Sequence, residues 1–536
     1  MATGDAARGS YILALDQGTT SSRAILFDRA GLPVATAQKE FAQHTREATG
    51  PDGEDLGSVE HDPEDIWQSQ LGCAREVLAT AGISAHDVNA VGITNQRETT
   101  ILWDRATGRP VAPAIVWQSR ISSPICRRLE AAGHGPIIRR RTGLVLDPYF
   151  SATKIVYLLE TIPGLRERCQ RGEVLFGTVD TFLLWRLTGG RVHATDVTNA
   201  SRTLLFDIGV LKRTDDIGVL KQTDDLGVLK WHDELCRIFD VPRAMLPDVR
   251  PSSGFFGTVD PTLLGAAIPI TGCAGDQEAA AFGQGVEKPG DAKTTYGTGA
   301  FLVFATGDSI VESSHGLLTT PLCSVSTDGQ PAAPAYCLEG SVFVAGALVG
   351  WLRDGLGIID HAADIEPLAR SVESSGGVVI VPALTGLGGP HWDPAARGLI
   401  IGVSRATHRG HIARAALEGI AMSIADVVES MQADAGTPLR RLRVDGGATA
   451  NDLLMQIQAD LLGVPIDRPT VRETTALGAA LLAGLATGFF PNTAAVAAAQ
   501  QIERTFEPAM PPQARERLLA AWRDAVGRSK GWAVPR

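Results

Sequence analysis

The apolar pattern opens with a short run, Tyr11 to Leu15, that breaks at Asp16-Gln-Gly-Thr-Thr and resumes at Arg23-Ala-Ile-Leu-Phe-Asp28 before Arg29-Ala-Gly31. Two apolar segments around a Gly/Thr loop predict a strand, a tight turn and an antiparallel strand. A helix is predicted to start at Asp62-Pro63-Glu64, because Asp caps well, Pro suits the first helical position and acids suit the first turn. Val88 to Ile93 reads as a buried strand ending in the polar loop Thr94-Asn-Gln-Arg-Glu98. Val378 to Pro382 and Leu442 to Val444 read as strands ending in Gly-rich turns, and after the second of them Gly446 to Asn451 opens a helical pattern, Leu453 to Leu462. Strands alternating with helices predict α/β sheets, with functional residues at the strand ends.

Composition narrows this without changing it. The 536 residues are 44% hydrophobic and 20% charged, an ordinary globular mixture that excludes a disordered or fibrous chain. Length accommodates two large α/β domains. Aromatics are only 6% against 58 glycines, so the core is expected to be built from small aliphatic side chains. The net charge of −11 argues against a nucleic-acid coat, which needs a dense basic surface. The longest basic cluster, Arg139 to Arg141, reads as a solvated face. Seven scattered cysteines without a CxxC fit reduced thiols. With no apolar signal core in MATGDAARGSY and no run of 18 apolar residues, a soluble, cytoplasmic protein is expected.

Three tandem nine-residue copies, DIGVLKRTD (207–215), DIGVLKQTD (216–224) and DLGVLKWHD (225–233), are too short for a solenoid. They read as a duplicated surface segment. Thr45 to Ser58, rich in Gly and acids, reads as a solvated loop.

The chemistry begins with phosphate. No GxxxxGK[ST] is present, and no complete GxGxxG follows a strand. The first hairpin turn instead offers Gly18 for close backbone approach, hydroxyl and N–H donors at Thr19, Thr20 and Ser21, and the fixed charge of Arg23. Asp16 supplies an oxygen suited to hydrated Mg²⁺. A second strand, Gly/Thr turn and strand, Thr294-Thr-Tyr-Gly-Thr-Gly-Ala-Phe301, lies in the other half of the chain. Two such hairpins suit a polyphosphate held from both sides. Asp445-Gly-Gly-Ala-Thr-Ala-Asn451 follows as strand, turn and helix, its glycines permitting flat packing of a base. For an acceptor, Arg97 donates and Glu98 accepts, a combination suited to adjacent hydroxyls. Trp117-Gln-Ser-Arg120 and Asp147-Pro-Tyr-Phe-Ser151 add aromatic walls and a phenol, and Thr271 to Gln277 ends in an acid and an amide, followed by Glu278.

In this order the two hairpins and the Gly-Gly turn resemble the phosphate-1, phosphate-2 and adenosine motifs of the actin, hexokinase and heat-shock ATPase superfamily. The strings ALDQGTTSSR, EHDP, GITNQRETT, TGLVLDPYFS, TNASRT, AGDQ, TYGTGAF, LEGSVF, RVDGGATAN and TALGAA resemble the FGGY carbohydrate kinases, and NQRETT and DPYFS favour the glycerol kinases among them. The resemblance implies an α/β fold of two related actin-like ATPase (ribonuclease H-like) domains with an interdomain catalytic cleft. Residues 1–269 would carry the phosphate-1 hairpin and glycerol loops, and residues 270–536 the catalytic Asp, phosphate-2 hairpin and adenosine motif. It implies ATP and Mg²⁺, glycerol as acceptor, and a homo-oligomer, dimer or tetramer.

By the same resemblance Arg97, Glu98, Tyr149, Asp276 and Gln277 would hydrogen-bond glycerol, and Trp117 and Phe301 would pack on its carbons. Asp276 would be the catalytic base, and Asp16 would help position Mg²⁺. Thr19, Thr20, Ser21, Arg23 and Thr298 would lie at the phosphates. Gly346, Gly447 and Asn451 would line the adenosine side, with Gly350 at a nucleotide-side position where many members carry Gln. Alternatives are an FGGY kinase for another polyol or ketose, and a catalytically silent sugar or ATP sensor. A silent sensor would be expected to lose Asp276 or Asp16, and both are present.

Overall fold

The computed structural model describes residues 9–50, 56–211, 231–327, 330–331 and 334–533. Most of the tandem repeat, residues 212–230, lies outside the described residues. The chain divides into two compact units. One comprises Met1–Gly285, Thr320–Tyr336 and Thr474–Gln500; the other comprises Val286–Thr319, Cys337–Glu473 and Gln501–Arg536.

The first unit is built on a six-stranded sheet. Its leading strand, Tyr11–Gln17, runs two residues past the apolar run, because Asp16 and Gln17 keep their backbone pairing with Arg23 and Ser22. It pairs antiparallel with Ser21–Phe27 and parallel with Val88–Asn95. Pro269–Gly275 continues the parallel set beyond Val88–Asn95. Ile12 to Leu15 are fully buried, as expected of a strand covered on both faces.

The helix Pro63–Ala81 starts as its sequence dictates: Asp62 accepts from the Glu64 amide, Pro63 leads, and Gly82 ends it in the left-handed region. Ile66, Leu71 and Val77 pack with Leu13, Leu15 and Leu26 of the sheet. Against the same sheet lies Thr474–Thr487, a helix apolar nearly all round. It approaches the strands backbone to backbone: a Cβ at Gly92 would stand 2.2 Å from the Ala479 carbonyl oxygen.

The second unit repeats this plan. Asp291–Tyr296 and Ala300–Gly307 form the antiparallel hairpin. Arg441–Asp445 runs parallel to the first of these strands, and Ile466–Pro469 runs parallel to Arg441–Asp445. Strand by strand, the order 33–40, 21–27, 11–17, 88–95, 269–275, 253–258 in one sheet matches 336–342, 300–307, 291–296, 441–445, 466–469, 502–506 in the other, which adds a seventh strand, Leu318–Pro321, beyond 336–342. The 27-residue helix Arg409–Ala435 buries Leu417, Ile420, Ile424 and Val427 in the core with Phe304, Leu442 and Val444.

Two sequence expectations are corrected here. The division expected at 269/270 falls instead after Gly285, because Pro269–Gly275 pairs with Val88–Asn95 in the first sheet and carries Asp276 with it. Asp276 therefore belongs to the first unit rather than the second. The Thr45–Ser58 stretch is not all loop: His44–Arg46 pairs antiparallel with Ser58–His61, while residues 51–55 lie outside the described residues. Among the described residues no helix is long and apolar enough to cross a membrane.

Candidate active site

In the first unit three parallel strands end side by side, and each delivers a polar residue at its C-terminal end. Tyr11–Gln17 delivers Asp16, which faces Thr94 and Arg23 across the ladder. Val88–Asn95 leads into Arg97 and Glu98, and Pro269–Gly275 leads into Asp276, first residue of the helix Asp276–Gly283. Carboxyl ends of parallel strands are where such sheets place ligands.

Arg97 is the hub. Its Nη1 donates to Glu278 Oε1 at 2.6 Å, and its Nε lies 3.3 Å from Asp276 Oδ1 and 3.8 Å from Glu98 Oε1. The side chain passes over Gly275, where a Cβ would stand 2.5 Å from Arg97 Cδ. That crossing accounts for the glycine ahead of Asp276. Arg97, Glu98 and Glu278 are almost fully buried, whereas a third of the Asp276 side chain is open. Glu98 sits in the left-handed region at φ 59°, an uncommon conformation for a non-glycine residue that the surrounding structure must hold. Burial raises its carboxyl above the usual range, opposed by the Arg202 and Arg97 guanidiniums.

Tyr149 and Trp117 close one side of this cluster, ring edge to ring face at 5.4 Å. The approach to Tyr149 is fixed by Arg120, whose Nη1 donates to Asp147 Oδ1 at 3.0 Å. It is fixed also by Lys154, whose Nζ donates to the Tyr149 and Phe150 carbonyls. Lys154 is fully buried, which pulls its pKa down to about 7. Burial pushes the Tyr149 phenol up, so it remains a hydroxyl. Gln277 follows Asp276 and donates its backbone N–H to Asp276 Oδ1.

The first hairpin turn is tight, with the Gly18 amide donating to the Ser21 carbonyl at 2.9 Å. Thr19 Oγ1 accepts from Trp117 Nε1 at 3.1 Å, so the turn and the aromatic wall are one construction. Thr20 is exposed, and Ser21 and Arg23 are half-buried, each linked to Gln38. Behind the turn Gln43 donates to the Thr19 carbonyl and contacts His61 Nε2 at 2.7 Å. Burial lowers His61 to about 4, leaving it neutral at physiological pH.

In the second unit Tyr296, Gly297, Thr298, Gly346, Gly447 and Asn451 line a cavity of about 520 Å³ with Glu366 and the apolar walls Val349, Ile365, Leu417, Ile420 and Leu454. Gly346 and Ala347 donate their amides to the Gly297 and Thr298 carbonyls, so these helix-start donors are spent on the turn. A Cβ on Gly346 would stand 2.6 Å from the Gly297 oxygen, which makes glycine the residue this contact admits. Gly446, at φ 88°, is held likewise against Tyr296, while Gly447 beside it is open. Asn451 Oδ1 caps the helix Asp452–Leu462 through Leu454 N. Glu366 adds a carboxylate acceptor to the cavity wall. Gly350 lies one turn along the helix from Gly346 and does not line the cavity. Phe301 is half-buried at the start of the second hairpin strand, opposite Thr295.

Sequence reasoning missed Arg202, Lys154, His61 and Glu366. For Arg202 the sequence pointed the other way: Thr198 to Thr203 is polar at five of six positions yet entirely buried.

The polar cluster around Arg97 and the first Gly/Thr turn share one sheet, the companion unit holds a cavity of about 520 Å³, and the chain matches both halves of one family. Residues 11–283 match the N-terminal domain and residues 292–487 the C-terminal domain of the FGGY family of carbohydrate kinases. The chain belongs to that family. It is 54% identical over 525 residues to a glycerol kinase of Bordetella parapertussis, covering 98% of each chain. It is 52% identical over 522 residues to glycerol kinase 2 of Thermotoga maritima, covering 97% of this chain and 99% of that one. The structure matches that of a Plasmodium falciparum glycerol kinase with ADP at a TM-score of 0.87 and 34% identity, covering 97% and 98% of the two chains. The FGGY match also divides the chain between residues 283 and 292, on either side of Gly285.

Proposed function

We propose that this enzyme transfers the terminal phosphoryl group of ATP to a primary hydroxyl of glycerol, giving sn-glycerol 3-phosphate and ADP. The observation that carries this reading is the convergence of Arg97, Glu98 and Asp276 at adjacent strand ends beside Tyr149 and Trp117. A guanidinium, a carboxylate and a phenol within one cluster match the donors and acceptors of a short polyol, and Trp117 offers a face to its carbons. Relatives named glycerol kinase at more than half identity over nearly the whole chain support the same acceptor.

Asp276 acts as the base. It is the open carboxylate of the cluster, and the Arg97 guanidinium at 3.3 Å favours its ionised form. The acceptor oxygen forms a bond to the γ-phosphorus, the bond from that phosphorus to the β,γ-bridging oxygen breaks, and the hydroxyl proton passes to Asp276. Such transfers depend on positioning and charge neutralisation more than covalent chemistry. Glu278 holds Arg97 in place, so the guanidinium can orient a hydroxyl without leaving Asp276. Thr19, Thr20, Ser21 and Arg23 offer donors for phosphate on the first hairpin turn, and Thr298 does so on the second. The cavity lined by Gly346, Gly447 and Asn451 takes the adenosine. Asp16 is a hard oxygen donor fitted to Mg²⁺, which when bound neutralises phosphate charge.

Asp276→Asn tests the base. The amide keeps shape and loses the proton acceptor, so glycerol affinity is expected to stay within a few-fold while turnover falls by about two to four orders of magnitude. Near-parental turnover would remove Asp276 from that role.

A further inference from the structure

We propose that Arg202 is a positioning residue of the acceptor subsite, holding the Glu98 carboxylate ionised and aimed at the polyol. This rests on the reading that Glu98 accepts glycerol hydroxyls. Arg202 lies in the short turn Ser201–Thr203, 104 residues from Glu98 in sequence.

Three observations carry it. First, Arg202 Nε lies 2.5 Å from Glu98 Oε1, and both side chains are only 2% exposed. Arg97, the other cation at Glu98, stands farther off at 3.8 Å and turns its Nη1 to Glu278. A buried carboxylate is ionised only where a cation and hydrogen bonds repay its lost hydration, and Arg202 makes the closer contact. Second, the Glu98 backbone is in the left-handed region. Its carbonyl accepts from Ser151 Oγ at 3.0 Å, so the residue is gripped at main chain and side chain. Third, the Arg202 guanidinium lies over the Phe150 and Tyr149 rings at 5.1 and 5.7 Å. One planar cation thus connects the carboxylate acceptor with the aromatic segment that carries the phenol. A lysine would supply charge without the fork or the stacking surface.

The groups acting on the Glu98 carboxyl come from every side of the cluster. Arg97 adjoins it, Arg202 comes from its turn, Tyr149 and Lys154 from the aromatic segment and its helix, and Asp276 from the next strand end. Burial raises the Glu98 pKa, and Arg202 is the largest opposing influence. Removing Arg202 therefore raises it further, and the ionised acceptor is lost at higher pH.

The test compares parent, Arg202→Gln, Arg202→Lys and Glu98→Gln. Glycerol and ATP kinetics are measured from pH 5.5 to 9, with melting temperature as a check on folding. For Arg202→Gln the glycerol KM is expected to rise at least about tenfold, in line with breaking a buried charge pair, with the ATP KM little changed. The acid limb of kcat/KM for glycerol should move up by about one pH unit or more. Arg202→Lys should bring the limb back toward the parent while glycerol KM stays raised. A purely structural role would lower the melting temperature without moving the limb. Parental glycerol KM and limb in Arg202→Gln, with Glu98→Gln impaired, overturn the proposal alone. Parental glycerol KM in Glu98→Gln overturns the acceptor reading and the proposal with it. If Arg202→Gln does not fold, Arg202→Lys decides: unchanged glycerol KM overturns the proposal, and a raised KM with a parental limb supports it.

Discussion

Gly478→Ala is the most demanding perturbation the structure offers, because it adds one methyl where two backbones meet. Gly478 lies in the helix Thr474–Thr487, and a Cβ there would stand 1.8 Å from the Ala279 oxygen, 2.6 Å from its carbonyl carbon and 3.1 Å from Gly283 N. These atoms are backbone of Asp276–Gly283, the helix that begins with the proposed base. The facing position is as tight: a Cβ on Gly283 would stand 2.2 Å from the Thr474 oxygen. Ordinary contact begins near 3.4 Å, so the helices must part by about 1.6 Å, and no side chain can rotate away to absorb it. Overpacking of this kind costs about 3 kcal/mol. Alanine returns about 1 kcal/mol as a better helix former than glycine. The net loss of about 2 kcal/mol corresponds to a melting temperature lower by about 3 °C for a unit of more than 300 residues. A shift of about 1 Å at a reacting group costs about a hundredfold in rate, so turnover should fall by that order in protein that remains folded. Thermal unfolding and glycerol-dependent ADP release on the same preparation read both. Parental melting temperature with parental turnover would refute the claim that these glycines set the position of Asp276.

Gly350→Ala is the converse case: the position is helical, its Cβ would meet nothing within 4 Å, and alanine should stabilise by about 1 kcal/mol; a lower melting temperature would contradict the open space around it. Asp180 should make stability pH-dependent. It is fully buried, hydrogen-bonded to Thr178 and Thr195, close to Asp196, and raised by burial from 3.8 to about 6. Because the folded value lies above the unfolded one, this stability is fully present below about pH 3.8 and is lost as pH rises through about 6. The loss is on the order of 3 kcal/mol and is shared with Asp196, whose titration is coupled. Chemical unfolding of parent and Asp180→Asn at several pH values should show the parent losing stability relative to the variant over that window, and a constant difference would contradict the shift.

Local chemistry was legible wherever a few neighbouring residues settle it. Asp62-Pro63-Glu64 starts its helix as the sequence predicts, and both Gly/Thr turns join antiparallel strands. Arg97 and Glu98 read as one strand end and Asp276 as another, Tyr149 came from the segment Asp147–Ser151, their role toward a polyol came from the family resemblance, and the structure brings the four side chains into one cluster. The domain division was not legible, because Pro269–Gly275 has the same apolar pattern whichever sheet it joins; only its pairing with Val88–Asn95 decides. Nor does anything within Thr474–Thr487 announce that it returns to the first unit, since a helix apolar on every face names no partner. Arg202 and Lys154 escaped for a related reason. Burial of a charge depends on partners distant in sequence, Glu98 for one and the Tyr149 and Phe150 carbonyls for the other.

The acceptor itself is the central claim, and one measurement addresses it most directly. Coupled ADP release is followed with ATP, with and without Mg²⁺, over a panel of glycerol, 1,2-propanediol, longer polyols and ketopentoses, and the glycerol product is read by phosphorus NMR. A site that spends Arg97, Glu98 and Tyr149 on hydroxyls should reject an analogue lacking one, because buried polar groups are then left unpaired. Glycerol is expected to lead the panel in kcat/KM, by at least about a hundredfold over 1,2-propanediol, with release dependent on Mg²⁺ and sn-glycerol 3-phosphate as the product. A ketopentose preferred over glycerol, or ADP release indifferent to any acceptor, would contradict the account.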